Sequence, residues 1–340
     1  MFITICSLAT NNLHSKREEK LVGLIVNGQW VDQWYDTKES KGEFVRQESR
    51  FRHQISTDPS SRYYAEKNRY HLYVSLACPW AHRTLLYRTI LNLEKIIDVS
   101  VVNPISYPNG WTFENFKDVS NDTGLDIDFL RDLYLSIDHE FTGKVTVPTL
   151  WDKKTQTIVN NESSEIIRML DGPFCELNGQ RSGQMFGGYP LTEIDQMNGF
   201  VYKGLNNGVY RVGFATSQTA YDNSVKLLFQ TLDKLEDILA QSDYLLGDRV
   251  CECDWRLFTT LVRFDTVYYY HFKCNLRKLE SYKNISKYLY RLLDFPKVKA
   301  TVFEDHIIDH YYLSHLRINP YGIIPVGLKK LLVNSNGKKI

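Results

Sequence analysis

The fold is decided by the stretch Tyr70-His71-Leu72-Tyr73-Val74-Ser75-Leu76-Ala77-Cys78-Pro79-Trp80-Ala81-His82-Arg83. Aromatic and β-branched residues alternate over its first half, which favours a pleated, half-buried strand from Tyr70 to Leu76. Pro79 suits the first position of a helix, because its fixed φ is helical and its missing N–H would be unpaired there. Apolar residues at helical spacing then predict a helix over Trp80–Leu93. Cys78 therefore lies where a strand turns into a helix.

A cysteine at the start of a helix faces unpaired backbone N–H groups and the positive end of the helix dipole. These favour the thiolate, which is the reactive form, so we expect the pKa of Cys78 to be lowered. Ala81 occupies the position of the second cysteine in a Cys-x-x-Cys pair. An external thiol would therefore have to complete a redox reaction. The alternative interpretation is a buried structural cysteine.

Composition narrows the class of protein. The 340 residues are enough for two domains, and 43% hydrophobic with 24% charged residues is an ordinary globular balance. With 41 basic and 40 acidic residues, no charge argument favours nucleic acid or a membrane surface as a partner. Six scattered cysteines indicate a reducing compartment, and Met1–Thr10 lacks the pattern of a signal peptide. We expect a cytoplasmic protein without a membrane span.

The pattern along the chain predicts an α/β domain followed by an all-helical one. Residues 1–67 form an N-terminal extension, which either drapes over the folded body or contributes to an active-site rim or a dimer interface. Residues 68–171 follow the order β-α-β and then β-β-α, which is that of a thioredoxin-like domain. Residues 172–189 are a glycine-containing linker without the Gly-Lys-Ser/Thr of a phosphate loop. Residues 190–327 have helical periodicity, and 328–340 are a C-terminal tail.

A thioredoxin-like domain with a cysteine at its first helix, joined to a helical domain, is the layout of glutathione transferases. Eight motifs carry a closer resemblance: Cys78-Pro79-Trp80-Ala81, Gly110-Trp111-Thr112-Phe113, Val145-Thr146-Val147-Pro148, Asn161-Glu162-Ser163, Gly208-Val209-Tyr210-Arg211, Arg263-Phe264-Asp265-Thr266-Val267-Tyr268, His271-Phe272-Lys273-Cys274-Asn275 and Asp309-His310-Tyr311-Tyr312. In consistent order from roughly residue 25 to 327, they resemble the glutathionyl-hydroquinone reductases. This is the xi class, which includes the fungal omega-like glutathione transferases.

The resemblance implies a glutathione-binding site on the first domain. Val145, Thr146 and Val147 would bind glutathione, with the Val147 backbone pairing to its cysteinyl part. The bond from Val147 to Pro148 is implied to be cis.

The rest of that binding site is implied by four further residues. Trp111 would cover glutathione with its indole, while Glu162 and Ser163 would hold the γ-glutamyl ammonium and carboxylate at a helix start. Lys144 stands where the family usually has arginine, so it keeps the charge but loses the bidentate fork. Its effect on glutathione affinity stays open.

The resemblance also gives roles to three tyrosines of the helical domain. Tyr210 would transfer a proton, while Tyr268 and Tyr311 would stabilise the thiolate with their hydroxyl groups. Tyr312 and Arg211 are weaker, adjacent candidates.

A metal site is not expected. Cys251, Cys253, His271 and Cys274 fit the spacing of no common closed zinc site.

The implied function is a reductase that removes glutathione from glutathionyl-hydroquinones through a Cys78–glutathione mixed disulfide. Glutathione is then a co-substrate, and a homodimer is the implied assembly. Two alternatives remain open. One is a broader thioltransferase or dehydroascorbate reductase that uses the same mixed disulfide. The other is a non-catalytic glutathione-transferase-like binding module.

Overall fold

A computed structural model describes residues 23–31, 33, 36–106, 108–122, 124–328 and 331–332. The segment Met1–Thr10 and most of the predicted tail over 328–340 lie outside these residues.

The regular elements follow the predicted order of a mixed α/β part and then a helical part. The strands are β1 Leu24–Val26, β2 Gln29–Val31, β3 Tyr70–Val74, β4 Asp98–Val101, β5 Thr149–Asp152 and β6 Thr157–Asn160. The helices are α1 Pro79–Ile90, α2 Leu130–Ile137, α3 Ser163–Met169, α4 Cys175–Leu177, α5 Leu191–Val201, α6 Gly208–Gly213, α7 Gln218–Gln241, α8 Glu252–Leu261, α9 Lys283–Leu293 and α10 Glu304–Ser314. Within the described part of the chain, no strand follows β6.

The main sheet has the strand order β4-β3-β5-β6. β3 is parallel to β4 and antiparallel to β5, and β5 and β6 form an antiparallel hairpin. This is the thioredoxin-like arrangement that the sequence predicts. All five residues of β3 are buried, so the expectation that this strand is half-buried is wrong. β3 lies between two neighbours, and the body of the protein covers both of its faces.

The N-terminal extension begins, in its described part, with a two-residue hairpin. Asn27 and Gly28 have positive φ angles of 46° and 75°, which is the backbone that a tight β1–β2 turn needs. Ile25 then exchanges two backbone hydrogen bonds with Gly143, at 3.0 and 2.9 Å. The extension is therefore hydrogen-bonded to the loop that leads into the predicted binding segment.

The predicted linker over 172–189 is more ordered than a simple connection. It contains α4 and a 3₁₀ turn, Gln184–Phe186. Phe174 and Cys175 are fully buried in the core.

The helical part packs around α7 and α8. The apolar face of α7 is buried except for a half-buried Ile238. α8 packs against α1, and its first residue, Glu252, is fully buried. Glu252 accepts hydrogen bonds from Arg168 of α3 at 2.9 Å and from Asn198 of α5 at 2.8 Å. This buried carboxylate joins the two parts of the molecule.

Asp152, at the end of β5, forms a buried ion pair with Arg69. The Nε and Nη2 atoms of Arg69 donate to its two carboxylate oxygens at 2.8 and 2.6 Å. Burial raises the pKa of Asp152, but the hydrogen bonds from Arg69, Thr155 and Lys154 outweigh burial and leave it lowered.

We predict that Asp152→Asn destabilises the fold by about 3–5 kcal/mol, because a buried arginine is left without its partner. The wild-type pair stabilises at neutral pH, and this contribution is lost as pH falls below the ordinary carboxyl pKa of ~4 and through the lowered folded value. The shift of the urea-unfolding midpoint at pH 7 measures the effect, and the variant will show a flatter acid limb.

The matched control is Asp98→Asn, because Asp98 pairs with Lys153 at 3.1 Å on the surface. Its loss will cost less than about 1 kcal/mol. Equal effects of the two substitutions would contradict the assignment of Asp152.

Candidate active site

Cys78 occupies the N-cap of α1, with Pro79 in the first turn, as the sequence predicts. Its Sγ donates to the carbonyl oxygen of Val147 at 3.5 Å. The bond between Val147 and Pro148 is cis, as expected. The strand-to-helix turn thus contacts the segment before β5 directly.

The pKa of Cys78 is raised rather than lowered, so the expectation from the helix start is wrong in sign. Burial is the largest cause, since it removes water from the thiolate. The backbone N–H groups of Ala81 and Trp80 and the charges of Arg263 and Arg46 act in the opposite direction without outweighing burial. The N–H groups at the helix start reduce the rise in the pKa of Cys78 that burial causes, but they do not reverse it.

Arg263, from the helical part, holds the turn that precedes Cys78. It is fully buried, and it donates to the carbonyl oxygens of Ala77 at 2.9 Å and Leu76 at 3.3 Å. It also bonds to His82 Nδ1 at 3.1 Å. A cation therefore lies against the turn, and sequence reasoning named this arginine only as part of a motif.

Tyr210, Tyr268 and Tyr311 come together as one hydroxyl cluster, although they lie on three separate elements. Tyr311 Oη lies 2.7 Å from Tyr210 Oη and 3.3 Å from Tyr268 Oη. Burial raises the pKa of all three, and a negative charge on Cys78 raises it further for Tyr210 and Tyr268. At neutral pH all three are protonated, and Tyr210 and Tyr268 are close enough to Cys78 to respond to its charge.

Glu162 and Ser163 lie at the start of α3. Glu162 is the N-cap and accepts from the Ser164 backbone at 3.0 Å, while the Ser49 hydroxyl of the extension donates to its other oxygen at 3.0 Å. Burial raises the pKa of Glu162, but these hydrogen bonds and the charge of Arg83 leave it lowered. Ser163 is buried and accepts from Arg83 at 3.4 Å. The helix start therefore offers a carboxylate and a hydroxyl beside a cation.

The segment before Pro148 is fixed from several sides. Thr146 Oγ1 accepts from Asn161 Nδ2 at 3.1 Å, and half-buried Val145 packs against the core. Lys144 Nζ donates to the Gly23 carbonyl, next to β1, at 3.4 Å. The lysine that stands where the resemblance implies an arginine thus contacts the extension.

Trp111 stacks on His310 of α10, with ring centroids 4.9 Å apart and planes at 23°. The stacking joins the loop before α2 to the residue beside Tyr311. The two weaker candidates lie outside the hydroxyl cluster. Tyr312 donates to the Thr266 carbonyl at 2.9 Å, and Arg211 pairs with Glu43 at 3.6 Å.

The extension lies against the same site, and an active-site rim is among the alternatives that the sequence leaves open for it. The ring of Phe44 packs edge-on against that of Phe214, with the ring centroids 5.1 Å apart. The guanidinium of Arg46 lies over the rings of Trp80 and Tyr210. The only signal in the sequence was the spacing of aromatic residues among cations over 44–54.

A metal ion has no prepared site in the part of the chain that the structure describes. No group of three or more His, Cys, Asp or Glu side chains there is arranged to hold one.

Comparison with known proteins adds family matches in both parts of the chain. The model of the glutathione S-transferase N-terminal domain matches residues 77–172, and that of the C-terminal domain matches residues 218–291. The chain is 48% identical to glutathionyl-hydroquinone reductase YqjG of Escherichia coli over 326 residues, covering 94% of this chain and 99% of the relative. It is 47% identical to glutathionyl-hydroquinone reductase PcpF of Sphingobium chlorophenolicum, covering 90% and 96% of the two chains.

Solved structures agree with these relatives. The glutathione-bound structure of YqjG superposes with a TM-score of 0.80 at 46% identity, covering 90% of this chain and 96% of the other. The structure of the glutathione S-transferase Xi of Phanerochaete chrysosporium superposes with a TM-score of 0.81 at 43% identity, covering 85% of this chain and 93% of the other. The fold expected from the sequence, a thioredoxin-like domain followed by a helical one, is confirmed by these matches. The chain therefore belongs to the glutathionyl-hydroquinone reductases, the Xi class of the glutathione S-transferases.

Proposed function

We propose that the protein is a glutathione-dependent reductase that converts glutathionyl-hydroquinones into hydroquinones and glutathione disulfide. The observation that carries this proposal is a cysteine at a helix start, with alanine in place of a resolving cysteine, near a hydrogen-bonded cluster of three tyrosines. The names of the YqjG and PcpF relatives support the same substrate class.

In the first half-reaction the Cys78 thiolate attacks the glutathione sulfur of the aryl thioether. A disulfide forms between Cys78 and glutathione, the carbon–sulfur bond breaks, and its electron pair passes to the ring carbon. The Tyr210 hydroxyl supplies the proton that this carbon gains, so the ring leaves as hydroquinone. Tyr311, which is 2.7 Å from Tyr210, stabilises the phenolate that Tyr210 becomes.

In the second half-reaction a second glutathione gives its thiol proton to the Tyr210 phenolate, and the resulting thiolate attacks the mixed disulfide. Glutathione disulfide leaves and Cys78 returns as a thiolate, which Tyr268 and Tyr311 stabilise with their hydroxyl groups. The two stages predict ping-pong kinetics.

In this proposal glutathione binds along the Cys78 turn and the start of α3. The Val147 backbone pairs with its cysteinyl part, and Glu162 and Ser163 hold the γ-glutamyl group. Trp111 covers the ligand, while Lys144, Val145 and Thr146 complete its binding segment.

The test is turnover of S-glutathionyl-menadiol by the purified protein in the presence of glutathione. Menadiol and glutathione disulfide will form in equal amounts. Glutathione disulfide formed from small mixed disulfides alone would support the broader thioltransferase function instead. That second candidate rests on Cys78 itself, which could reduce such substrates without a proton donor to carbon. No product from either substrate would leave only a binding module.

Glu162→Gln will raise the KM for glutathione about tenfold or more while changing kcat little, because it removes the charge that faces the ligand ammonium. Steady-state kinetics with varied glutathione measure this. The matched control is Glu165→Gln, one turn along α3, whose carboxylate contacts Arg52 and Asn160. A KM increase of the same size in both variants would contradict the role of Glu162.

The assembly and compartment are further parts of this proposal. We propose that the protein is a homodimer, which light scattering of the protein as it elutes from a sizing column will test. We also propose that it resides in the cytoplasm. Among the described residues, no helix is both long and apolar enough to cross a membrane.

A further inference from the structure

Arg46 belongs to the N-terminal extension, yet its guanidinium forms part of the active-site wall. Its Cζ lies 4.7 Å from the ring centroid of Tyr210 and 4.8 Å from that of Trp80. Its Nε donates to Asn207 Oδ1 at 2.8 Å, which fixes the plane of the group. The extension thus places a cation against the proposed proton donor.

One edge of this guanidinium has no protein acceptor among the described residues. Nη2 of Arg46 is buried and makes no hydrogen bond within the described part of the chain. The ion pairs found among the described residues also include none to Arg46. A buried cationic donor is costly without an acceptor, so the site favours a ligand that brings an anionic oxygen.

The charge of Arg46 reaches the groups that react. It opposes the effect of burial on the pKa of both Cys78 and Tyr210. A hydroquinone whose hydroxyl group ionises carries the negative charge on that oxygen and, by conjugation, on the neighbouring ring carbon that Tyr210 protonates in the proposed reaction. A guanidinium beside Tyr210 is placed to bind that oxygen.

We propose that Arg46 binds the phenolate oxygen of the aromatic substrate and so selects hydroxylated rings. This inference rests on the proposed function for its substrate. Glutathione carries an anionic oxygen too, but the extension meets the predicted γ-glutamyl site through Ser49, which donates to Glu162. Arg46 instead contacts the tyrosine that serves the ring.

Binding of two probes tests the contact without turnover. Quenching of protein fluorescence will compare 2,4-dinitrophenolate with 2,4-dinitroanisole, which has the same ring but carries no charge. The wild type will bind the phenolate about tenfold more tightly or better, and Arg46→Met will lose this preference. A wild type without the preference, or a variant that keeps it, would overturn the proposal.

The control is Arg50→Met, which removes a cation from the same segment. Arg50 donates to the Thr142 carbonyl at 3.0 Å and lies over Phe141, away from Tyr210 and Trp80. The phenolate preference will survive in this variant. Its loss there would show a general charge effect and refute the specific contact.

Turnover measurements distinguish a ring oxygen of the substrate from an oxygen of glutathione as the partner of Arg46. With S-glutathionyl-menadiol, Arg46→Met will lower kcat/KM about tenfold to hundredfold, and Arg46→Lys will lose less. With a glutathione mixed disulfide that has no ring oxygen, the loss in Arg46→Met will be much smaller. Equal losses on both substrates would show that Arg46 binds glutathione or stabilises the fold, and would overturn the proposed contact with the ring oxygen. A wild type that prefers the phenolate but does not release menadiol would refute the proposed function alone.

Discussion

Cys78→Ser will lower turnover of S-glutathionyl-menadiol by at least about a thousandfold, because the hydroxyl cannot form the mixed disulfide. The side chain keeps nearly the same size at the N-cap of α1, so the fold will be preserved. Initial rates of menadiol release measure the loss, and circular dichroism checks the fold. Residual activity near that of the wild type would contradict a covalent mechanism.

The mixed disulfide can also be observed directly. Wild-type protein incubated with glutathione disulfide will gain one glutathione, seen by mass spectrometry of the intact chain, and peptide mapping will place it at Cys78. The other described cysteines serve as internal controls, because Cys78 is partly exposed, whereas no surface is exposed on Cys175, Cys251, Cys253 and Cys274. An adduct that persists in Cys78→Ser would show that another thiol reacts.

Tyr210→Phe will separate the two kinds of chemistry that share the mixed disulfide. Release of hydroquinone will fall about 10²- to 10³-fold, because the ring carbon loses its proton donor. Reduction of a small glutathione mixed disulfide needs no proton on carbon, so its rate will stay within a few-fold. Parallel kinetics on the two substrates give the ratio.

Tyr312→Phe is the matched control for this experiment. Tyr312 is buried on α10 beside Tyr311, but its hydroxyl donates to the Thr266 carbonyl. Its removal will not change the ratio of the two activities. If Tyr210→Phe lowers both activities equally, Tyr210 supports the thiolate or the fold and another group protonates the ring.

Local signals in the sequence were sufficient for the parts of the site that lie on single elements. Pro79 and the apolar spacing after it located α1, and so placed Cys78 at its N-cap. Glu162 and Ser163 were placed correctly at the start of α3. In each case the determining interactions involve residues a few positions apart in the chain.

Interactions between distant residues were not accessible in the same way. The pKa of Cys78 depends on how much of the molecule covers the thiol, and the helix start alone predicted the wrong sign. Arg46 reaches Tyr210 because the extension folds back onto residues far along the chain.

The resemblance to a known family supplied what local sequence patterns could not. Tyr210, Tyr268 and Tyr311 have no common periodicity, and the structure joins their hydroxyl groups. Their chemical roles stay predictions until the substitutions are made.

The carbonyl groups that precede Cys78 are held by Arg263, which comes from the other half of the chain. The first half thus carries the nucleophile without all of the bonds that shape its turn. In evolutionary terms, the two halves cannot be exchanged independently between paralogous genes. An incoming helical half must bring an arginine that reaches both carbonyls, or the hybrid keeps its cysteine and loses the turn that presents it. The inherited unit of catalysis is the pair of domains.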